Sequence, residues 1–350
     1  MQASVKKYTL DFKRPSGTSR GILTQKETWF LIIRKDGNYG IGECGMFKGL
    51  SFDDVPGFEE KLEWTCRHIQ KGLPYLLDEL RDFPSIQFAV EQAFLSLNSE
   101  DFLDLFPSAF TKSEARIPIN GLIWMGDESY MLEQIQQKLE EGFRCLKLKI
   151  GAIDFRAEIS LLEAIRKEYS QEQIELRVDA NGAFKPIEAL DKLNELANFG
   201  LHSIEQPIRQ GNILLMKDLC AKTPLPIALD EELIGVVDIK KKEKLLETVK
   251  PQYIILKPTL VGGFRGSGEW IEIAERLGIG WWVTSALESN IGLNAIAQWT
   301  YTLNNTMPQG LGTGGLYTNN FEGPLQVEKG YIYSRKNKGW QPNLIENLCL

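Results

Sequence analysis

A series of ionisable and polar side chains recurs through the second half of the sequence: Lys147, Lys149, Asp179, Asn181, Glu205, Asp230, Lys257 and Ser285. Each stands at the end of a short apolar run. From Lys149 through Asp179, Glu205, Asp230 and Lys257 to Ser285, successive members are 25 to 30 residues apart. Three carboxylates, those of Asp179, Glu205 and Asp230, would repel one another in a semi-enclosed space unless a cation sat among them. Hard oxygen ligands without Cys or His favour Mg²⁺, with Mn²⁺ as a substitute. Lysines flank this trio on both sides. An ordinary lysine titrates near about 10.4 and is protonated at neutral pH, so it cannot act as a base. Beside the like charge of Lys147 and a divalent cation, Lys149 is expected to titrate lower and to serve as general base, with Lys147 tuning it. Lys257 then faces it from the far side, as an opposing acid or base or as a fixed cation. A base next to Mg²⁺ is the equipment for removing a proton α to a carboxylate, because the enolate that results needs preorganised positive charge at its oxygens.

Such residues work together only if the chain brings them to one place. The near-constant spacing is that of one strand and one helix. From about residue 116, short apolar strands alternate with helices. The expected strands are 117–123, 145–150, 174–180, 201–206, 225–231, 253–259, 280–287 and 307–312, and the helices between them include 128–142, 154–169, 186–200 and 267–278. Several of these helices stop at a glycine, a common helix terminator. Eight such repeats predict an α/β fold, a (β/α)8 TIM-like barrel, whose chemistry lies at the carboxyl ends of its strands. A doubly wound sheet is the alternative, but no GxGxxG follows the first strand. Because residues i and i+2 share a strand face, Lys147 points with Lys149, and Arg177 with Asp179.

The first hundred residues read differently. Strands at 4–12, 27–35 and 39–44 form an antiparallel meander with a turn at Asp36-Gly37-Asn38, followed by helical periodicity from 56 to about 98. The expected division is an α+β capping domain at 1–115, the barrel at 116–319, and a strand-like C-terminal segment at 320–350 that returns to the cap.

Composition narrows the function classes. The chain has 350 residues, 43% hydrophobic and 25% charged, the balance of a soluble globular protein. No apolar run approaches the roughly 20 residues of a membrane helix, so no membrane partner is expected. The polar, strand-like N-terminus has no signal core, which leads to a cytoplasmic expectation. A net charge of −7, with Lys240–Lys244 as the main basic run, argues against nucleic acid. Five scattered cysteines without a CxxC pair suit free thiols and disfavour zinc. Only His68 and His202 are available as histidine bases. His68 lies in an amphipathic helical stretch, and His202 opens a strand three residues before Glu205, so neither is expected to be catalytic. Trp281 and Trp282 fall inside a strand and are expected in the core. Oligomeric state is left open.

The set KLK (147–149), RVDAN (177–181), IEQP (204–207), ALDEE (228–232) and LKP (256–258), in this order and spacing, resembles the enolase superfamily, in its muconate lactonising enzyme subgroup. The resemblance implies that Asp179, Glu205 and Asp230 hold the metal, that Lys149 is the base, and that Lys257 is the lysine across the site. Within the subgroup, Arg177, TSALESNIGL (284–293) and GLGTGGLYTNNF (310–321) are most similar to the o-succinylbenzoate synthase family. That family dehydrates 2-succinyl-6-hydroxy-2,4-cyclohexadiene-1-carboxylate in menaquinone biosynthesis. The resemblance adds Lys147 and Arg177 to the catalytic set and a small carboxylate as the partner. It leads us to expect Asn181, Ser285, Gly312, Thr313 and Gly314 at the substrate, with Ser285 and the glycine-rich turn receiving the succinyl carboxylate through hydroxyl and backbone N–H groups. The loop 16–21, with Ser19 and Arg20, is the expected lid. Dipeptide epimerases of the subgroup carry an Asp-x-Asp pair at the last barrel strand. Here that region reads GLGTGG, which disfavours an amino-group substrate. An N-acylamino acid racemase or a dipeptide epimerase remains the alternative, followed by a barrel that binds a metabolite without catalysis.

Overall fold

The computed structural model describes residues 1–18, 21–151 and 153–349. Gln2–Thr18 (β1), Gly21–Lys35 (β2) and Asn38–Cys44 (β3) form an antiparallel sheet in that order. The β1–β2 hairpin is longer than the alternating pattern suggested. Its pairing resumes beyond a register shift between Asp11 and Ser16 and runs to Thr18 and Gly21. The expected loop at 16–21 is therefore mostly strand, and Ser19 and Arg20, its predicted substrate-binding residues, lie outside the described residues. Helices Phe58–His68, Leu73–Glu79 and Pro84–Asn98 follow. The last packs so tightly on β3 that a Cβ on Gly40 or Gly42 would lie about 2 Å from the carbonyl oxygens of Ala93 and Ala89, which is why these positions are glycine.

The first barrel strand is broken in two. Arg116–Pro118 (β4) leaves the barrel to pair elsewhere, and Gly121–Ile123 (β5) begins the parallel sheet. Cys145–Lys149 (β6), Glu175–Asp179 (β7), Ser203–Glu205 (β8), Ile227–Leu229 (β9), Tyr253–Leu256 (β10) and Gly280–Val283 (β11) continue it, each hydrogen-bonded to its sequential neighbour. The segment 307–312 closes the ring. Gln309 bridges to Ile119 and Gly310 to Thr284, both in parallel sense. These bonds run from Gln309 N to Pro118 O (2.8 Å) and from Gly310 N to Val283 O (2.8 Å). A Cβ on Gly310 would fall 2.3 Å from Thr284 Oγ1, so the closure requires glycine there. Among the described residues, α-helices separate these strands, including Glu128–Glu140, Phe155–Glu168, Gly263–Arg276 and Asn290–Thr302. After the closing strand, the next described helix is the short Leu344–Cys349.

Strand alternation sorts the side chains. Leu146, Leu148, Leu176, Val178 and Ile204 are fully buried against the helices. The opposite face carries Lys147, Lys149, Arg177, Asp179 and Glu205. Inside the barrel, Ala228, Ile255 and Trp282 pack with Tyr253 and Met307. Trp281 and Trp282 are both buried.

The C-terminal segment makes two separate contacts. Residues 316–319 run along β1, with Lys13 N bonded to Leu316 O (2.8 Å) and Thr318 N to Asp11 O (2.9 Å). Further on, Leu325–Glu328 (β12) and Tyr331–Ser334 (β13) form a hairpin that pairs with β4 rather than with the cap sheet. No helix among the described residues is long and apolar enough to cross a membrane.

Two buried carboxylates join the cap to the barrel. Glu43, on β3, accepts from the backbone N–H of Ser289 (2.9 Å) and Gly292 (2.9 Å) at the start of helix Asn290–Thr302. Glu91, on helix Pro84–Asn98, accepts from Phe264 N (2.5 Å) and Arg265 N (2.9 Å) at the start of helix Gly263–Arg276. Each satisfies N–H groups that a helix leaves unpaired, in the favourable field of the helix dipole.

Candidate active site

Parallel pairing places Lys149 opposite Asp179, and Asp179 opposite Glu205. Asp230 stands just past β9. The strand-end residues named from spacing thus share one mouth. Their side chains form an alternating chain of charge. Lys147 Nζ bonds Asp179 Oδ2 (2.9 Å) and Glu205 Oε2. Lys149 Nζ bonds Asp179 Oδ2 (2.6 Å) and Asn181 Oδ1 (2.7 Å). Lys257 Nζ bonds Asp230 Oδ2 and lies 3.7 Å from Glu205 Oε1.

Burial opposes charge here, and the neighbours decide the outcome. Lys147 loses solvation, yet Asp179 and Glu205 hold its ammonium well above the ordinary lysine range. The same contest, won by Asp230 and Glu205, raises Lys257. Asp179 is fully buried but meets three lysines, so its carboxyl is held far below the usual range. Glu205 goes the other way: burial, then the Asp179 charge, push it up to about 8. Its Oε1 has no hydrogen-bond partner. A buried carboxylate crowded in this way is short of positive charge.

Above this floor lies a cavity of about 190 Å³. Lys147, Lys149, Asn181, Lys257, Ser285, Gly310, Gly312 and Thr313 face it, together with an apolar wall of Leu23, Phe47, Leu50, Leu122, Trp124 and Leu260. No Asp or Glu is among its described lining residues.

Residues 130–341 match the family described as Enolase C-terminal domain-like. The o-succinylbenzoate synthase of Desulfotalea psychrophila is 48% identical over 95% of this chain and 98% of its own length. This chain belongs to the enolase superfamily. The solved structure of MenC from Desulfotalea psychrophila LSv54 superposes with a TM-score of 0.85 at 46% identity, covering 95% of this chain and 99% of that one. A dipeptide epimerase from Enterococcus faecalis, solved with Mg and the dipeptide L-Leu-L-Tyr, shares the fold at a TM-score of 0.80 and 21% identity, over 95% and 96% of the two chains.

For a member of this superfamily, the mouth must be tested as a metal site. Among the described residues, no three Asp, Glu, His or Cys side chains are gathered as a ready coordination group. Lys147 and Lys257 bridge the carboxylates instead. The donor set nevertheless fits a hard divalent cation. It offers three carboxylates from adjacent strands, and one of them, Glu205, keeps an oxygen without a hydrogen bond and is pushed above the usual carboxylate range by burial and the Asp179 charge.

Four expected site residues, Arg177 of the catalytic set and Gly314, Ser19 and Arg20 of the substrate set, lie elsewhere or remain undescribed. Arg177 is inside the barrel but outside the cavity: Nε bonds Glu175 (2.7 Å), Nη1 bonds Pro308 O (2.9 Å), and the guanidinium lies 4.3 Å from the centre of the Trp282 ring. The reason is height, since Arg177 precedes Asp179 by two residues and its planar fork is drawn downward by Glu175. Gly314 packs against Asn290 and Leu293 of helix Asn290–Thr302 instead of lining the cavity. Ser19 and Arg20 are not described. The histidines are occupied away from the mouth: His68 stacks on Trp64 and bonds its carbonyl, and His202 bonds Ser203 Oγ and packs on Tyr253.

Other site residues escaped the sequence reading. Gln206 is fully buried. Its Oε1 accepts from Asp230 N (3.2 Å) and Glu232 N (3.3 Å), while its Nε2 donates to Ile208 O (3.0 Å), tying the ends of β8 and β9 together. Its φ of 39° is unusual for a glutamine, and those bonds hold it there. Asn120, Leu122 and Trp124 follow an i, i+2 pattern that could have shown them on the inner face of the first strand. Nothing local marks Phe47, Lys48 and Leu50.

Proposed function

We propose that the chain is an o-succinylbenzoate synthase, which dehydrates 2-succinyl-6-hydroxy-2,4-cyclohexadiene-1-carboxylate in the cytoplasm for menaquinone biosynthesis. The observation that carries this is the pair Lys149 and Lys257 facing one cavity across Asp179, Glu205 and Asp230, in a chain nearly half identical to a full-length synthase. Asp179, Glu205 and Asp230 would hold Mg²⁺, with Mn²⁺ as a substitute. When bound, the ion supplies positive charge to the substrate carboxylate, which lowers the cost of charge growing there.

Lys149 removes the α-proton, and Asn181, bonded to its amine, helps aim it. The protonated Lys149 then returns a proton to the departing hydroxyl on the same face, so that water leaves. Lys257 acts as a fixed cation rather than a second base, placed across the cavity by its bond to Asp230. Lys147 holds Asp179 and Glu205 in register. Arg177 supports the closing strand through Pro308. The apolar wall suits a ring and excludes water from it. Residues 1–115 form the cap and 116–319 the catalytic barrel in this reading, with the C-terminal hairpin β12–β13 on β4. Free Cys44, Cys66, Cys145 and Cys220 agree with a reducing compartment.

N-acylamino acid racemisation is the second reading, because the same two lysines could serve opposite faces of an α-carbon. A free amino group is disfavoured by the absence of acids from the described cavity wall. Incubation with the cyclohexadiene substrate, with Mg²⁺ or with chelator, tests the proposal through the ultraviolet absorbance of the aromatic product. Metal-dependent appearance of o-succinylbenzoate is expected. Exchange of the α-proton of an N-succinylamino acid in D₂O, without any dehydration, would replace the dehydratase by the racemase.

A further inference from the structure

We infer that Lys48, on the turn that follows β3, binds the second carboxylate of the substrate. The inference rests on the dehydratase reading, in which the substrate carries one carboxylate on its ring and one on its succinyl tail. Four cationic side chains line the cavity among the described residues: Lys48, Lys147, Lys149 and Lys257. Carboxylates of the floor already engage three of them. Lys48 has no described ion pair or hydrogen bond and is exposed to solvent. Among the described residues it is the cation left for an incoming anion.

Its backbone is held in place beforehand. Phe47 N donates to Ser51 Oγ (2.8 Å), Gly49 N to Asp54 Oδ2 (2.7 Å), Leu50 N to Phe47 O (3.0 Å) and Ser51 N to Phe47 O (2.8 Å). Gly49, at φ 75°, makes the turn possible. Flanking Lys48, Phe47 and Leu50 belong to the apolar wall, so a ring against that wall brings its tail toward the amine.

The competing receptor is Ser285 with Thr313. Thr313 Oγ1 donates to Ser285 Oγ (2.8 Å), and Leu287 N donates to the same oxygen (2.9 Å). The Ser285 hydroxyl is in turn hydrogen-bonded to the buried carboxyl of Glu288, so this pair is already engaged within the protein. A bond assisted by the charge of Lys48 is the stronger of the two.

The test compares o-succinylbenzoate with 2-butyrylbenzoate, which keeps the ring carboxylate and ketone but lacks the tail carboxylate. Their affinities are measured by calorimetry with Mg²⁺ present, for the wild type, Lys48→Met and Lys48→Arg. The wild type and Lys48→Arg should prefer the diacid by about tenfold, and Lys48→Met should bind both alike. In turnover, the loss in Lys48→Met should fall on KM rather than kcat. An unchanged preference in Lys48→Met overturns the assignment, as does equal binding of the two ligands by the wild type. Transfer of the effect to Ser285→Ala would give the role to the hydroxyl pair. Failure of the wild type to make o-succinylbenzoate, while Lys48 still controls the preference, would strike the dehydratase reading alone.

Discussion

The barrel mouth and the seam between cap and barrel both bury carboxylates, but they satisfy them differently. In the mouth, Asp179, Glu205 and Asp230 meet mainly ammonium groups and one another, and Glu205 keeps an oxygen without a partner. In the seam, Glu43 and Glu91 are spent on the backbone N–H groups of two helix starts. A lysine amine at the end of a rotatable side chain can turn aside for a cation, whereas backbone N–H groups cannot move without breaking a helix. The mouth is therefore built for exchange and the seam for permanence. Both seam carboxylates dock on the helices that follow β10 and β11, the strands leading to Lys257 and Ser285.

Variants sharpen this contrast, beginning with the largest effect. Lys149→Ala should lower turnover by roughly a thousandfold or more while leaving the circular dichroism spectrum unchanged, since positioned proton transfer is worth about 10²–10⁴-fold. Activity above a few per cent of wild type would remove Lys149 as the base. Chelation should abolish turnover reversibly, and Glu205→Gln should raise the Mg²⁺ concentration needed to restore it by roughly 100-fold without unfolding the chain. A variant that saturates at the wild-type Mg²⁺ concentration would sink the ligand assignment.

Seam substitutions should show the opposite pattern. Glu43→Ala strands two buried N–H groups and should cost roughly 2–3 kcal/mol in urea unfolding, with an unchanged Mg²⁺ requirement. A Mg²⁺ requirement that moves with it would blur the distinction between the regions. The smallest effect belongs to Glu91. Burial, opposed by its two backbone N–H bonds, pushes this carboxyl up to about 7. Because the folded value lies above the unfolded one, the stability it contributes is present at low pH and is lost as pH rises through 7. The loss between pH 6 and 8 should be on the order of 1 kcal/mol, and Glu91→Gln should flatten it. An equally steep profile in that variant would assign the titration to another group.

The candidate site was legible to different degrees. The strand-end row came from counting, because a βα unit has a narrow length and alternation fixes which side chains face inward. Asp179, Glu205 and Lys149 fall in register as that logic requires. Arg177 shows the limit: alternation put it inside the barrel, but Glu175 and Pro308 decided that it points below the mouth. The hairpin at 16–21 misled for a related reason, since its strands are extended by pairing with each other and by residues 316–319 running beside β1.

The amino-acid sequence by itself determined the repeat, the barrel, the acidic trio and its lysines, all of which rest on local periodicity and short-range spacing. Only the tertiary structure decided that Lys48 would face the cavity, that Glu43 would meet Ser289 across 246 residues of chain, and that Glu91 would meet Phe264 across 173. Contacts between residues so far apart leave no period to read, because their partners are chosen by how folded units pack and which buried charges that packing must satisfy.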